Sequence, residues 1–303
     1  MQLAISPFTG EFAALSAAFC WAAATAIYGR VGVKIPPLQL NLMKGAIASV
    51  LLGLTLIGLG LGIDRLNPRS TALLLLGGAI GIGLGDTAYF LALNALGPRK
   101  ALLLETLSSP LSAAIALLFL GERLEVLSGC GIALTLFGVA WTICERSRRD
   151  TVISPQRFQT GLLWGLLAQL SQAIAGVLSR AALAGTEISP IWSSLLRIGA
   201  GIAVIGLLLA LRSPKQPLPS LKKLKKSPRL LSLVVLAAFS GTYLAMILQQ
   251  TAFKYSPAGI AQTLLTTSPL FILPISALSG ERISLRALLG TSLAVAGIFI
   301  LFR

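Results

Sequence analysis

The sequence predicts an all-α polytopic membrane protein: ten transmembrane helices arranged as two inverted five-helix repeats. Three observations carry this. The 303 residues are 55% hydrophobic and only 12% charged, with a mean hydropathy of +0.85, whereas soluble domains carry about 25% charged residues. Apolar stretches of about 20 residues recur along the whole chain, each long enough to cross a ~30 Å hydrocarbon core. The chain also repeats itself. Ser109-Pro110-Leu111, Gly121-Glu122-Arg123, Gly131 and Gly138 recur 159 residues later as Ser268-Pro269-Leu270, Gly280-Glu281-Arg282, Gly290 and Gly297, and Pro98 and Pro257 extend the match upstream.

Taken in order, the first helix is predicted over Glu11 to Val33, stopped by Lys34-Ile35-Pro36-Pro37. The second covers Leu38 to Ile63 and ends before the polar Asp64-Arg65-Leu66-Asn67-Pro68-Arg69. The third covers Thr71 to Leu96 and ends at Gly97-Pro98-Arg99-Lys100. A fourth, Ala101 to Leu120, is followed by the Gly121-Glu122-Arg123 turn and a fifth, Val126 to Cys144. The basic linker Glu145 to Gln159 separates the first repeat, residues 1–144, from the second, residues 160–303.

The second repeat begins again with helices over Thr160 to Ala184 and Pro190 to Leu211. A basic link, Arg212 to Arg229, leads to helices over Leu230 to Tyr255, Pro257 to Leu278 and Leu285 to Phe302. No signal peptide is expected, because residues 1–10 lack a basic start and Glu11 opens the first span. Gly77, Gly81 and Gly85, and likewise Gly161 and Gly165, have the four-residue spacing that lets membrane helices approach closely.

Within the repeated block, Pro110 and Pro269 have no N–H for the carbonyls of Thr106 and Leu265, so a kink is expected at each. In lipid, freed carbonyls persist only where neighbouring helices, water or a ligand satisfy them. Matched interruptions in two halves point to a solute site near the midplane. Five spans per half is an odd number. The second half must therefore enter the membrane upside down, relating the halves by a twofold axis in the membrane plane.

The net charge of +15 lies in short links between spans, with no solvated face for a duplex, so no nucleic-acid partner is expected. Anionic lipid headgroups are the expected partners of these links. By the positive-inside rule, the Lys222–Lys226 cluster and the links on its side place both termini outside the cytoplasm. There is no histidine, and Cys20, Cys130 and Cys144 have no metal-ligand spacing. No metal, no cofactor and no enzymatic nucleophile–base pair is expected; the cysteines read as reduced packing residues.

Four ionisable side chains fall inside spans: Lys44, Asp86, Glu105 and Arg197. Each costs at least ~2.5–3.5 kcal/mol at a helix centre unless paired or wetted. At 1.5 Å per residue, Asp86 lies about 15 Å deep, and Glu105 and Lys44 about 7 and 9 Å from the same face. That arithmetic pairs Lys44 with Glu105 and leaves Asp86 to carry a proton or bind a cationic group of a solute. Arg197 enters from the opposite face and suits a carboxylate or phosphate. Trp21, Tyr89, Gln169, Gln172, Tyr243, Gln249, Gln250 and Gln262 sit well inside their spans, as the orienting groups of a largely apolar pocket would. Trp141 and Trp192 fall near span ends as interfacial anchors. Glu122 and Arg123 read as a local ion pair fixing their turn.

Ten spans in two halves, each closing with a Pro…Gly-Glu-Arg…Gly…Gly helix pair, resemble the EamA-type branch of the drug/metabolite transporter superfamily. Gly85-Asp86 through Ala92 and the early cations Lys44 and Arg197 add to the likeness, which covers nearly the whole chain. The resemblance implies a secondary transporter that moves a small organic metabolite, an amino acid or related compound, across the plasma (inner) membrane. Alternating access with proton-coupled efflux is the mode expected. It also implies cytoplasmic termini, against the charge distribution. Two alternatives are an exchanger of phosphorylated metabolites or nucleotide sugars, which would want more cations than Lys44 and Arg197, and a non-transporting scaffold. The partners expected are a small-molecule substrate and the bilayer; the sequence leaves a homodimer open.

Overall fold

The computed structural model describes residues 8–32, 34–62, 66–97, 101, 104–122, 125–143, 154–211, 227–278 and 285–301. Those residues form helices and connecting turns, with no strand among them. Six helices are long and apolar enough to cross a membrane: α1 (Thr9–Val31), α2 (Pro37–Gly58), α3 (Pro68–Leu96), α6 (Pro155–Leu183), α7 (Pro190–Leu211) and α8 (Pro228–Tyr255). The remaining elements are α4 (Ser108–Leu120), α5 (Val126–Ile143), α9 (Ala258–Leu265), α10 (Ser268–Leu278) and α11 (Leu285–Leu301). Six of the ten expected spans thus appear among the described residues as helices long enough to cross; the other four expected positions hold shorter helices, two of them interrupted and two of 18 and 17 residues.

Helix starts follow proline rather than hydropathy. Pro37, Pro68, Pro155, Pro190 and Pro228 each open a helix, where the missing N–H has no intrahelical partner to lose. Asn67, Ser154 and Ser227 cap the N–H groups of Ser70, Arg157 and Leu230. Because α6 begins at Pro155, residues 155–159 of the expected linker belong to its first turns. Gly97 and Gly121, at φ +81° and +67°, end α3 and α4 in the left-handed conformation that glycine adopts without strain.

Two features escaped the hydropathy pattern. Ala79–Asp86 in α3 and Phe239–Leu244 in α8 wind as π-helix, at corresponding places in the two halves. The wider turn leaves carbonyls that side chains take up: Gln172 Nε2 donates to Gly81 O at 3.3 Å, Asn41 Nδ2 to Ile82 O at 2.9 Å and Thr87 Oγ1 to Gly83 O at 2.7 Å. The expected interruptions are present, but one turn before the prolines. Tight turns at Thr106–Leu107 and Thr266–Thr267 are closed by Leu107 N–H to Leu104 O and Thr267 N–H to Leu264 O. Pro110 and Pro269 then lie in the first turns of α4 and α10, where they leave no carbonyl of their own helix unpaired.

The packing is that of a twofold. α1 packs on α8 and α3 on α6, while α2 meets α7, α4 meets α9 and α5 meets α11. Exchanging the halves turns the first contact into the second and maps each of the others onto itself. The repeated glycines mark the axis. A methyl on Gly138 would strike the backbones of Gly290 and Ala294, and one on Gly297 would strike Thr135 and Gly131. These are the same contact seen from either half. Gly77, Gly81 and Gly85 hold α3 against Ala175 and Ser171 of α6, as their spacing predicted. α1 lies among α8, α9 and α10 behind a run of buried alanines, Ala13, Ala14, Ala17, Ala18, Ala22 and Ala24.

Candidate functional site

Asp86 ends the π-helical segment of α3 and is buried. Its Oδ2 accepts a hydrogen bond from Lys44 Nζ at 2.5 Å, and its Oδ1 accepts one from Gln172 Nε2 at 2.9 Å. Lys44 also lies 5.2 Å from the centre of the Phe90 ring, a favourable placement for a cation over an aromatic face. The expected pairing of Lys44 with Glu105 is therefore corrected: Asp86 is the compensated carboxylate. Depth alone misassigned the partner. α2 adjoins α3, α7 and α8, so the carboxylate its lysine meets is set by helix neighbourhood rather than by level in the membrane.

Glu105 sits at the helical turn before the Thr106–Leu107 break. Its Oε2 accepts a hydrogen bond from Ser268 Oγ at 3.4 Å across the two halves, and no cation pairs with it among the described residues. Ser108 Oγ donates to the Glu105 carbonyl at 2.8 Å and accepts from Gln262 Nε2 at 2.9 Å. The two helix breaks thus face one another, and Ser109 and Thr263 add a further hydroxyl pair between α4 and α9.

These groups enclose a narrow cavity between the halves, with room of about 20 Å³, roughly one water molecule. Asp86, Tyr89 and Glu105 line it from the first half, together with Trp21 of α1. Gln169, Gln172, Gln249 and Gln262 line it from the second. Ser108 and Leu265 complete it; the sequence reading passed over both, although Ser108 adjoins the repeated Ser109.

Two predicted site residues lie elsewhere. Arg197 is fully buried in α7 but does not line the cavity. Its backbone abuts Gly78, its guanidinium lies beside Gly81, and its Nε and Nη1 find no hydrogen bond among the described residues. Tyr243 belongs to the π-helical segment of α8, stacks on Phe239 and shares a 2.8 Å hydrogen bond with Thr55 of α2. Gln250 accepts from Ser193 at 2.7 Å, joining α8 to α7.

The Glu122 turn makes contacts that the sequence did not announce. Its carboxylate reaches across the halves, taking Arg180 Nε at 2.7 Å and the Ala258 N–H at 2.8 Å. Arg180 in turn donates to the carbonyls of Phe253 and Lys254. An anion at the start of α9 and a cation at the end of α8 each complement a helix dipole. Arg123 and the Gly280-Glu281-Arg282 turn lie outside the described residues. Trp141 faces Arg286, and Trp192 Nε1 donates to the Leu61 carbonyl, so both sit at helix ends as expected.

A duplicated bundle of apolar helices, with its polar side chains gathered between the halves, defines a multi-pass integral membrane protein. The chain belongs to the EamA-like transporter family, whose model matches residues 8–144 and again residues 159–303. It is thus a membrane transporter by family. A solved structure described only as "Crystal structure of protein" superposes with a TM-score of 0.78 over 97% of this chain and 96% of its own, at 17% identity. That likeness is one of fold. None of the curated proteins compared matches the sequence.

Proposed function

We propose that this protein is a secondary transporter of a small organic metabolite, an amino acid or related compound, working by alternating access and coupled to protons in the direction of efflux. The observation that carries the reading is the convergence of two carboxylates, four glutamines and two aromatic side chains on one cavity between duplicated halves. Polar groups gathered where two bundles meet suit a solute site. The halves enter the membrane in opposite senses, so exchanging their conformations re-exposes that site to the other side. The cavity as it stands is smaller than an organic solute, so the solute enters through a more open arrangement of the halves. The chain resides in the plasma (inner) membrane, its basic links against anionic headgroups.

Asp86 is the proposed coupling group, with Lys44 and Gln172 as the partners it exchanges for a proton. Reconstituted in liposomes, the protein should move a metabolite from its substrate class faster under a pH gradient. Asp86→Asn should reduce that gradient-driven flux to the level of empty liposomes while the protein still inserts. Gradient-driven flux unchanged in Asp86→Asn would remove Asp86 from coupling, and no flux of any candidate at either pH would leave a non-transporting scaffold. The exchanger of phosphorylated metabolites ranks second, because Lys44 is occupied and Arg197 stands off the cavity.

A further inference from the structure

We propose that the cavity receives the protonated nitrogen of an organic amine, with Glu105 as its counter-ion. This rests on the transport reading and narrows it from metabolites at large to cationic amines. The argument begins with charge. Two carboxylates line the cavity, and Asp86 already has Lys44 at 2.5 Å and Gln172 at 2.9 Å. Glu105 has one long hydrogen bond, from Ser268 Oγ at 3.4 Å, and no cation among the described residues. A half-buried carboxylate that lacks a cation keeps part of the cost of leaving water, and a cationic ligand removes that cost.

Hydrogen-bonding capacity points the same way. Gln169, Gln249 and Gln262 are 1%, 4% and 5% exposed, all three line the cavity, and the side-chain oxygen of each lacks a hydrogen-bond partner among the described residues. Three free acceptors around a carboxylate match the three N–H donors of a primary ammonium group. The aromatic side chains of Trp21 and Tyr89 line the same cavity, and aromatic rings suit a cation. An anion would find the reverse. Lys44 is consumed by Asp86, and the Arg197 guanidinium lies against α3, outside the lining. The space, about one water molecule in size, matches an ammonium group, and the attached carbon chain needs the opening that alternating access supplies. Because no free cation among the described residues lines the cavity to hold a carboxylate, simple amines are favoured over amino acids.

The test uses the purified full chain in detergent and three probes of equal length: n-butylammonium, butan-1-ol and butyrate. Isothermal titration should detect n-butylammonium, with butan-1-ol and butyrate binding at least tenfold more weakly. Glu105→Gln should weaken n-butylammonium by at least tenfold and leave butan-1-ol unchanged. If Glu105→Gln does not fold, the Gln249→Met and Gln262→Met pair replaces it, with the same tenfold loss expected. Butyrate binding more tightly than n-butylammonium, undiminished n-butylammonium affinity in the variant, or no binding of any probe would each overturn the proposal. Binding is read without flux. Liposomes that still transport a metabolite while n-butylammonium fails would sink only the ligand class, and n-butylammonium binding without any flux would sink only transport.

Discussion

At the level of single residues, three ionisable groups, Lys44, Asp86 and Glu105, gather at the site while Arg197 stands off it, and two of the three pair. Lys44 and Asp86 meet deep in the bundle with Gln172 on the second oxygen. Breaking one partner of a buried pair leaves the other uncompensated, which costs about 3–5 kcal/mol, whereas replacing both by neutral groups is often tolerated. Lys44→Met should therefore lower the stability of the purified protein by that amount, and Lys44→Met with Asp86→Asn should recover most of it. Thermal unfolding in one detergent decides the matter: a single variant within about 1 kcal/mol of the parent would mean that Lys44 reaches water and not Asp86.

Among the elements, the breaks in the fourth and ninth spans and the π-helical segments in α3 and α8 do the shaping. They occur in both halves at matching places, and they bring backbone carbonyls, hydroxyls and amides to a polar space in an apolar bundle. The breaks are held by local side chains. Ser108, Thr266 and Thr267 hydroxyls donate to the carbonyls of Glu105, Thr263 and Leu264 at 2.8, 2.8 and 2.6 Å. Pro110 and Pro269 follow in first turns, where a helix N–H has no acceptor to lose. Pro110→Ala and Pro269→Ala should accordingly change stability by less than about 1 kcal/mol, against ~3 kcal/mol or more for a proline in a helix interior. Unfolding midpoints check this. A large shift would place the interruption on the proline itself.

Across the whole molecule, a largely buried ion pair joins the two halves at the Glu122 end. Glu122 and Arg180 bridge the halves, each about four-fifths buried, and tie the end of α8 to the start of α9. Arg30 occupies the matching place in the first half and is exposed. Hydrogen bonds to charged groups contribute ~1.5–3 kcal/mol. Arg180→Gln should destabilise the protein by about that much and Arg30→Gln by less than about 0.5 kcal/mol. Equal losses in the two variants, measured by thermal unfolding, would deny the Arg180 bridge a special share in stability.

What the sequence determined alone was the class, the duplication and most of the site's membership. Polarity in an apolar chain is conspicuous, so Asp86, Glu105, Trp21, Tyr89, Gln172, Gln249 and Gln262 were legible and all reach the cavity. Repeated glycines announced close helix contacts, and the structure puts Gly138 and Gly297 at the axis between α5 and α11. Helix starts were legible too, in Pro68, Pro155 and Pro228, though hydropathy set them two to five residues late.

Tertiary structure alone decided who pairs with whom. Lys44 took Asp86, Glu122 took Arg180, and Arg197 and Tyr243 went to helix interfaces. The reason is physical. Depth in the membrane follows from counting residues along one helix, but a side chain's partner depends on which helix stands beside it and on how that helix is rotated. A π-helical turn shifts that rotation without altering composition, so neither hydropathy nor spacing announces it.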